Sequence, residues 1–129
     1  MTSSTSRKAA RRQALFLLYQ WDLTGQELAS LFEGEPDDFA FALAGAVAAR
    51  APALDARITA ASPDWPADRL GTLERNILRV GVYELEEQTV PREVAINEAV
   101  VLAKRYATDE AAGLVNGILA RVAREQEAA

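Results

Sequence analysis

Four basic side chains, Arg7, Lys8, Arg11 and Arg12, stand within the first 21 residues of this 129-residue chain, and no acid stands among them. Guanidinium and ammonium groups clustered without carboxylates suit direct contact with a polyanion. The whole chain carries a net charge of −5, so this local +4 leaves −9 for everything after Trp21. A basic end on an acidic body marks a localised polyanion site; the competing reading is that the four residues solvate the first helix. Tyr19 follows Arg12 by seven residues and Arg11 by eight, near the same helical face.

Other chemistry is excluded by composition. With no cysteine, the chain forms no disulfide, zinc–thiolate site or thiol nucleophile; with no histidine, it lacks the commonest general base and metal ligand and any Ser-His-Asp arrangement. No Gly-rich nucleotide loop is present. The reading is therefore a protein without catalysis, cofactor or metal. Its N-terminus is polar and basic, and no apolar run approaches the roughly 20 residues that cross a bilayer, so a soluble cytoplasmic protein is expected.

The elements that must position these groups follow from periodicity. Half of the residues are hydrophobic, enough for one domain over 1–129 that buries roughly two thirds of its unfolded surface. Residues 1–5 are expected to be disordered. Ser6 is placed as the cap of a helix running to about Leu23, with Ala14, Leu15, Leu18 and Trp21 as its apolar stripe. Its basic residues then fall in the first two turns, against the helix dipole. Gly25 ends that helix, and a short helical turn covers Glu27–Phe32. Gly34-Glu35-Pro36-Asp37-Asp38 is a break and a helix start. The next helix carries Phe39, Leu43 and Val47 to about Arg50, with alanines that suit close helix approach, and Pro52 starts or kinks a continuation through Leu54 and Ile58.

Ser62-Pro63-Asp64-Trp65-Pro66 is the strongest loop signal and is read as the boundary between an N-terminal half, 6–62, and a C-terminal half, 66–126. From Thr72 to about Gln88, Leu73, Ile77, Leu78, Val80, Val82 and Leu85 form a stripe wide enough to be covered on two sides. After the Val90-Pro91 turn, Ala95, Ala99, Leu102 and Tyr106 make one apolar face, with Ile96 and Ala103 beside it, while Glu93, Asn97 and Lys104 share another. Thr108 or Asp109 caps a last helix with Ala111, Val115, Ile118 and Val122 inward. No segment alternates with period two, so the fold class is all-α, six or seven helices in two halves.

Several polar residues sit inside this pattern. Arg79, between Leu78 and Val80, must be paired, with Glu84, Glu98 or another acid, or emerge into a groove. Asn97 and Glu98 are read as fixing helix packing by buried hydrogen bonds. Lys104 contacts phosphate or snorkels. Gly117 costs the last helix roughly 1 kcal/mol in propensity, which suggests close helix approach there and a specific bond at Asn116.

Put in order, Leu73-Glu74-Arg75-Asn76-Ile77-Leu78-Arg79-Val80-Gly81-Val82-Tyr83-Glu84-Leu85, Val90-Pro91, Val94-Ala95-Ile96-Asn97-Glu98-Ala99-Val100-Val101-Leu102-Ala103-Lys104 and Leu114-Val115-Asn116-Gly117-Ile118-Leu119 resemble the NusB family of bacterial transcription antitermination factors. The basic start followed by Ala14-Leu15-Phe16-Leu17-Leu18-Tyr19-Gln20-Trp21 resembles the same family's N-terminus. The resemblance spans almost the whole chain, although Gly25 to Pro66 matches only in pattern. It implies an all-helical bundle in two halves that binds boxA, a single-stranded RNA element, together with the ribosomal protein NusE. With other Nus factors and RNA polymerase, the assembly promotes read-through of terminators, chiefly in ribosomal RNA operons. It further implies RNA contact by Arg7, Lys8, Arg11, Arg12, Tyr19, Arg79, Lys104 and Asn116, and places Glu74 and Arg75 toward NusE. Tyr19 would stack or hydrogen-bond; for Glu74 and Arg75 an ordinary solvated pair is the competing reading. Leu114 departs from the family, which usually carries an aromatic there, and Gly113 beside it removes a frequently polar side chain. The alternatives are a NusB-like RNA-binding domain of a ribosomal RNA cytosine methyltransferase, and a helical interaction protein or homodimer that masks its RNA face.

Overall fold

The computed structural model describes residues 4–31 and 37–128. Its elements are six α-helices, α1 (Ser4–Thr24), α2 (Asp38–Ala49), α3 (Ala51–Ala61), α4 (Thr72–Glu87), α5 (Arg92–Tyr106) and α6 (Asp109–Ala128), with 3-10 turns at Leu28–Leu31 and Ala67–Arg69. No strand occurs among the described residues, as the lack of period-two alternation predicts. The chain forms two compact units, Met1–Arg50 and Ala51–Ala129.

In the first unit α1 packs on α2. Ala10, Ala14, Leu15, Leu17 and Leu18 of α1 and Ala40, Leu43, Ala44 and Val47 of α2 are buried, and small alanine side chains suit a close approach of the two helices. Trp21, expected in the stripe, is only half-buried. The helix begins at Ser4, so Ser4 and Thr5 are helical rather than disordered, and Ser6 lies in the first turn instead of capping it. This earlier start changes the electrostatics: the dipole acts over the first turn, and only Arg7 of the basic residues remains there. Gly25 ends α1 at φ +75°, its N–H donating to the Trp21 carbonyl at 2.9 Å, a left-handed termination that glycine adopts without steric cost. Asp37 caps α2 by accepting from the Ala40 N–H at 2.9 Å; the expected break at Gly34, Glu35 and Pro36 lies outside the described residues.

The second unit contains α3 as well as α4–α6, so the Ser62–Pro66 loop falls within it and not at the division. The reason is local. Only Arg50 separates α2 from α3, and Pro52, which has no N–H to give to a continuing helix, starts a new one. Leu54 and Ile58 are then buried as α3 packs on α4 and α6. Helix α4 is the centre: it touches α3, α5 and α6, and Asn76 through Val82, Glu84 and Leu85 are buried. Ala95, Ala99, Leu102 and Ala103 supply the inner face of α5. In α6 the inner face is Ala112, Val115, Ile118, Leu119, Val122 and Ala123, so Ala112 takes the place expected of the half-buried Ala111. Thr108 is the cap of α6: its Oγ1 accepts from the Ala111 N–H at 2.9 Å.

Two helix contacts differ from the sequence reading. Gly117 is exposed with open space around it; the close approach is at Gly81, where a Cβ would stand 2.7 Å from Leu119 Cδ1. Asn97 is exposed and makes no buried bond. It lies with Glu93 and Lys104 on the outer face of α5.

Arg79 is buried and paired. Its Nε and one terminal nitrogen donate to the two Asp55 carboxylate oxygens at 2.7 and 2.6 Å, and the other donates to Asn76 Oδ1 at 2.9 Å. Asn76 Nδ2 in turn donates to the Thr72 carbonyl at 2.8 Å. This bidentate fork tethers α3 to α4. A second tether joins α3 to α6, where Glu125 accepts from Arg57 at 2.6 Å and from Arg121 at 3.0 Å. The hydrogen bond from Arg57, then that from Arg121, holds the Glu125 carboxyl below its ordinary range.

Asp55→Ala is expected to destabilise the fold by about 3 kcal/mol in urea unfolding, the low end for one lost partner of a buried pair, since the Asp55 side chain is 28% exposed. Adding Arg79→Met should recover most of that loss. Gly81→Ala should lower stability by roughly 1 kcal/mol, crowding outweighing alanine's helix propensity, and its effect should shrink when Leu119 is already Ala. For Glu125, a carboxylate with lowered pKa stabilises above its unfolded pKa and loses that contribution as pH falls through the folded one. Glu125→Gln should therefore lower the thermal midpoint at neutral pH, with the difference from wild type fading as the pH falls below the ordinary carboxylate range.

Candidate nucleic-acid interface

The basic residues of α1 do not act as one patch, because neighbouring positions on a helix point about 100° apart. Position 11 falls on the stripe of Ala14, Leu15 and Leu18, and Arg11 is accordingly 4% exposed. It lies at the core edge, at a position where the sequence reading expects an RNA contact. Arg7 and Lys8 are exposed. The Arg7 guanidinium lies 5.6 Å from the ring centroid of Phe39 on α2, a cation–π contact that orients it without neutralising its charge.

Arg12 is half-buried and lines an open groove of about 570 Å³ with Ala9, Gln13, Phe16, Leu17, Gln20 and Leu31. The α1 members are spaced three and four apart, one stripe flanking the core face. Tyr19 is half-buried and does not line the groove; the aromatic that does is Phe16, with 39% of its surface exposed. Nothing in the apolar run Leu15-Phe16-Leu17-Leu18 marks Phe16 as different from its neighbours. Only the helical phase, which places Ala14, Leu15 and Leu18 inward, separates it.

In the second unit the expected site residues divide. Arg79 is committed to Asp55 and Asn76. Arg75 donates to the carbonyls of Leu70 and Ala67 at 3.1 and 3.3 Å, closing the 3-10 turn that precedes α4, so it and Glu74 are not a solvated pair. Glu74, third in α4, folds its carboxylate back over Gly71, where a Cβ would meet Oε2 at 2.2 Å, and so sits at the positive end of the helix. Lys104 on α5 and Asn116 on α6 are both exposed and present their polar ends to solvent.

A second groove, of about 520 Å³, runs between the start of α4 and the start of α6 and includes Trp65, Arg69, Leu70, Glu74, Glu110 and Leu114. Trp65 is 54% exposed. The Pro63 and Pro66 that flank it were legible as a loop signal, but an aromatic in a loop carries no sequence cue to its exposure.

Among the described residues no group of His, Cys, Asp and Glu is arranged to hold a metal ion, and no single helix is long and apolar enough to cross a membrane.

The chain matches the NusB family model over residues 8–124. It is 42% identical over 121 residues to the transcription antitermination protein NusB of Rubrobacter xylanophilus, covering 88% of this chain and 87% of that one. Its fold superimposes with a TM-score of 0.84 on a crystal structure of antitermination factors NusB and NusE in complex with dsRNA, at 29% identity over 95% of this chain and 99% of that one. T. maritima NusB gives a TM-score of 0.83 at 30% identity, over 97% and 94% of the two chains. The family match over residues 8–124 and the identity to a curated NusB along most of both chains show that the chain belongs to the NusB family.

Proposed function

We propose that this chain is an RNA-binding adaptor of transcription antitermination, without catalysis of its own, that binds boxA-type single-stranded RNA together with the ribosomal protein NusE. The observation that carries the reading is the acid-free basic start of α1 in a chain of net charge −5, which concentrates positive potential where the rest of the surface repels a polyanion. Family membership supports it, as does the likeness to a NusB crystallised with NusE and RNA. That complex holds double-stranded RNA, which proteins read mainly by shape; an exposed aromatic beside cations suits unstacked bases better.

Arg7, Lys8 and Arg12 are the proposed phosphate contacts on α1, and Lys104 and Asn116 the proposed contacts on the second unit. Glu74 and the groove beside it are proposed to face NusE. Joined to other Nus factors and RNA polymerase in the cytoplasm, the adaptor would promote read-through in ribosomal RNA operons.

Titration of labelled boxA-type RNA, single-stranded and as a duplex, with and without NusE across a salt series tests this. We expect weak binding alone, tighter binding with NusE and a preference for the single strand. With three α1 cations each neutralising one phosphate, log K should fall with log salt at a slope of about −2. A flat salt dependence, or no gain from NusE, would overturn the reading.

A further inference from the structure

The groove on α1 has the chemistry of a nucleobase site, and we propose that Phe16 stacks on an unpaired base of single-stranded RNA while Gln13 and Gln20 read its edge. The proposal rests on the RNA-adaptor reading and goes further, naming where a base would be held and by what.

Four observations converge. The groove, about 570 Å³, falls within the roughly 300–1,000 Å³ usual for sites of small-molecule size. Phe16 presents 39% of its surface there, although a large aromatic gains most by full burial. Gln13 and Gln20 stand on either side of it along the same stripe. Their amides, each with two donor hydrogens and one acceptor oxygen, hold no hydrogen bond with other side chains among the described residues and match the mixed edges of bases. Arg12 closes the row, and no carboxylate is among the described residues that line the groove.

Charge selects the occupant. An apolar groove alone would suit any greasy side chain, but this one opens on a helix with Arg7, Lys8 and Arg12 and no acid before Asp22. A strand whose phosphates meet Lys8 and Arg12, which share a helical side with Phe16 at i, i+4 and i+8, would bring a base over Phe16 about one helical turn further on. This division of labour, cations on the backbone and a ring on the base, is the usual one for single strands. It also moves the stacking role from Tyr19, which lies outside the groove.

The test uses the full chain, a short labelled single-stranded RNA and the same RNA with abasic sites. Phe16→Leu keeps an apolar side chain but removes the π-face and should weaken binding of the intact RNA by roughly tenfold. Phe16→Trp should retain or improve it. The salt slope should stay at the wild-type value in Phe16→Leu, because the phosphate contacts remain, and should lose about 0.7 in Arg12→Ala. Abasic RNA should bind wild type as weakly as intact RNA binds Phe16→Leu, and should not distinguish the two proteins. Circular dichroism and thermal melting check that the variants are folded.

If Phe16→Leu binds intact RNA like wild type while Arg7→Ala with Lys8→Ala weakens it, the base site is wrong and the adaptor reading stands. If Phe16→Leu leaves RNA binding intact but changes sedimentation, the groove joins two copies of the chain, which also overturns the proposal. Wild type that binds no RNA at all overturns both.

Discussion

Helix α4 is covered on nearly every side, and the second unit is arranged to meet what that burial demands. A buried helix leaves its polar side chains no water, so each must find a partner within the protein or cost several kcal/mol. Arg79 meets this demand through Asp55 on α3 and Asn76 on its own helix. The Leu85 carbonyl near the other end accepts from Gln126 on α6 at 2.9 Å. Where α6 presses on α4, only a residue without a side chain fits, and Gly81 supplies it against Leu119. The polar bonds thus fix the rotation of α4 about its axis, while apolar packing and the glycine fix its distance from α6.

The first unit works under the opposite constraint. Helix α1 packs on α2 and on the 3-10 turn at Leu28–Leu31, and Ala9, Phe16, Gln20 and Leu23 remain exposed along one side of it. An amphipathic helix in that position has a face to spare beside its core stripe. Here the face beside the core carries Arg12, Gln13, Phe16 and Gln20, a sequence of groups that neither burial nor helix propensity requires. Helix α4 is held by its buried polar pairs, whereas α1 keeps one side free of such constraints.

This contrast explains what was legible in the sequence. Helix ends were written locally and could be read: the left-handed Gly25, the Val90-Pro91 turn and the Thr108 cap each act within four residues of the backbone they terminate. The inner faces of α4 and α5 could be read because their stripes repeat over several turns. Pairings across the fold could not. The partner of Arg79 is an aspartate 24 residues away, and no pattern separates Asp55 from the nearer glutamates. Gly81 and Gly117 are equivalent in propensity, and only the crossing of α4 with α6 decides which one another helix approaches. Arg11 and Arg12 likewise differ only in helical phase, and within a run as apolar as Ala14–Leu18 that phase is weakly specified until α2 is in place.

The same geometry bears on what the basic cluster means. If the four charges had been crowded into the first turn, their cost against the helix dipole would itself have argued for a ligand. With α1 starting at Ser4, that cost is confined to Arg7, which lies over the Phe39 ring, and Arg11 is absorbed into the core edge. The fold therefore accommodates its basic start, and the charge that attracts a polyanion does not by itself distinguish one nucleic-acid sequence from another. What the fold does not require is the alignment of the remaining charges with an exposed ring and two unengaged amides along one stripe. Charge draws a polyanion to α1 from a distance set by salt; the stripe can tell a base from a bare phosphate, and it is there that specificity has physical means to arise.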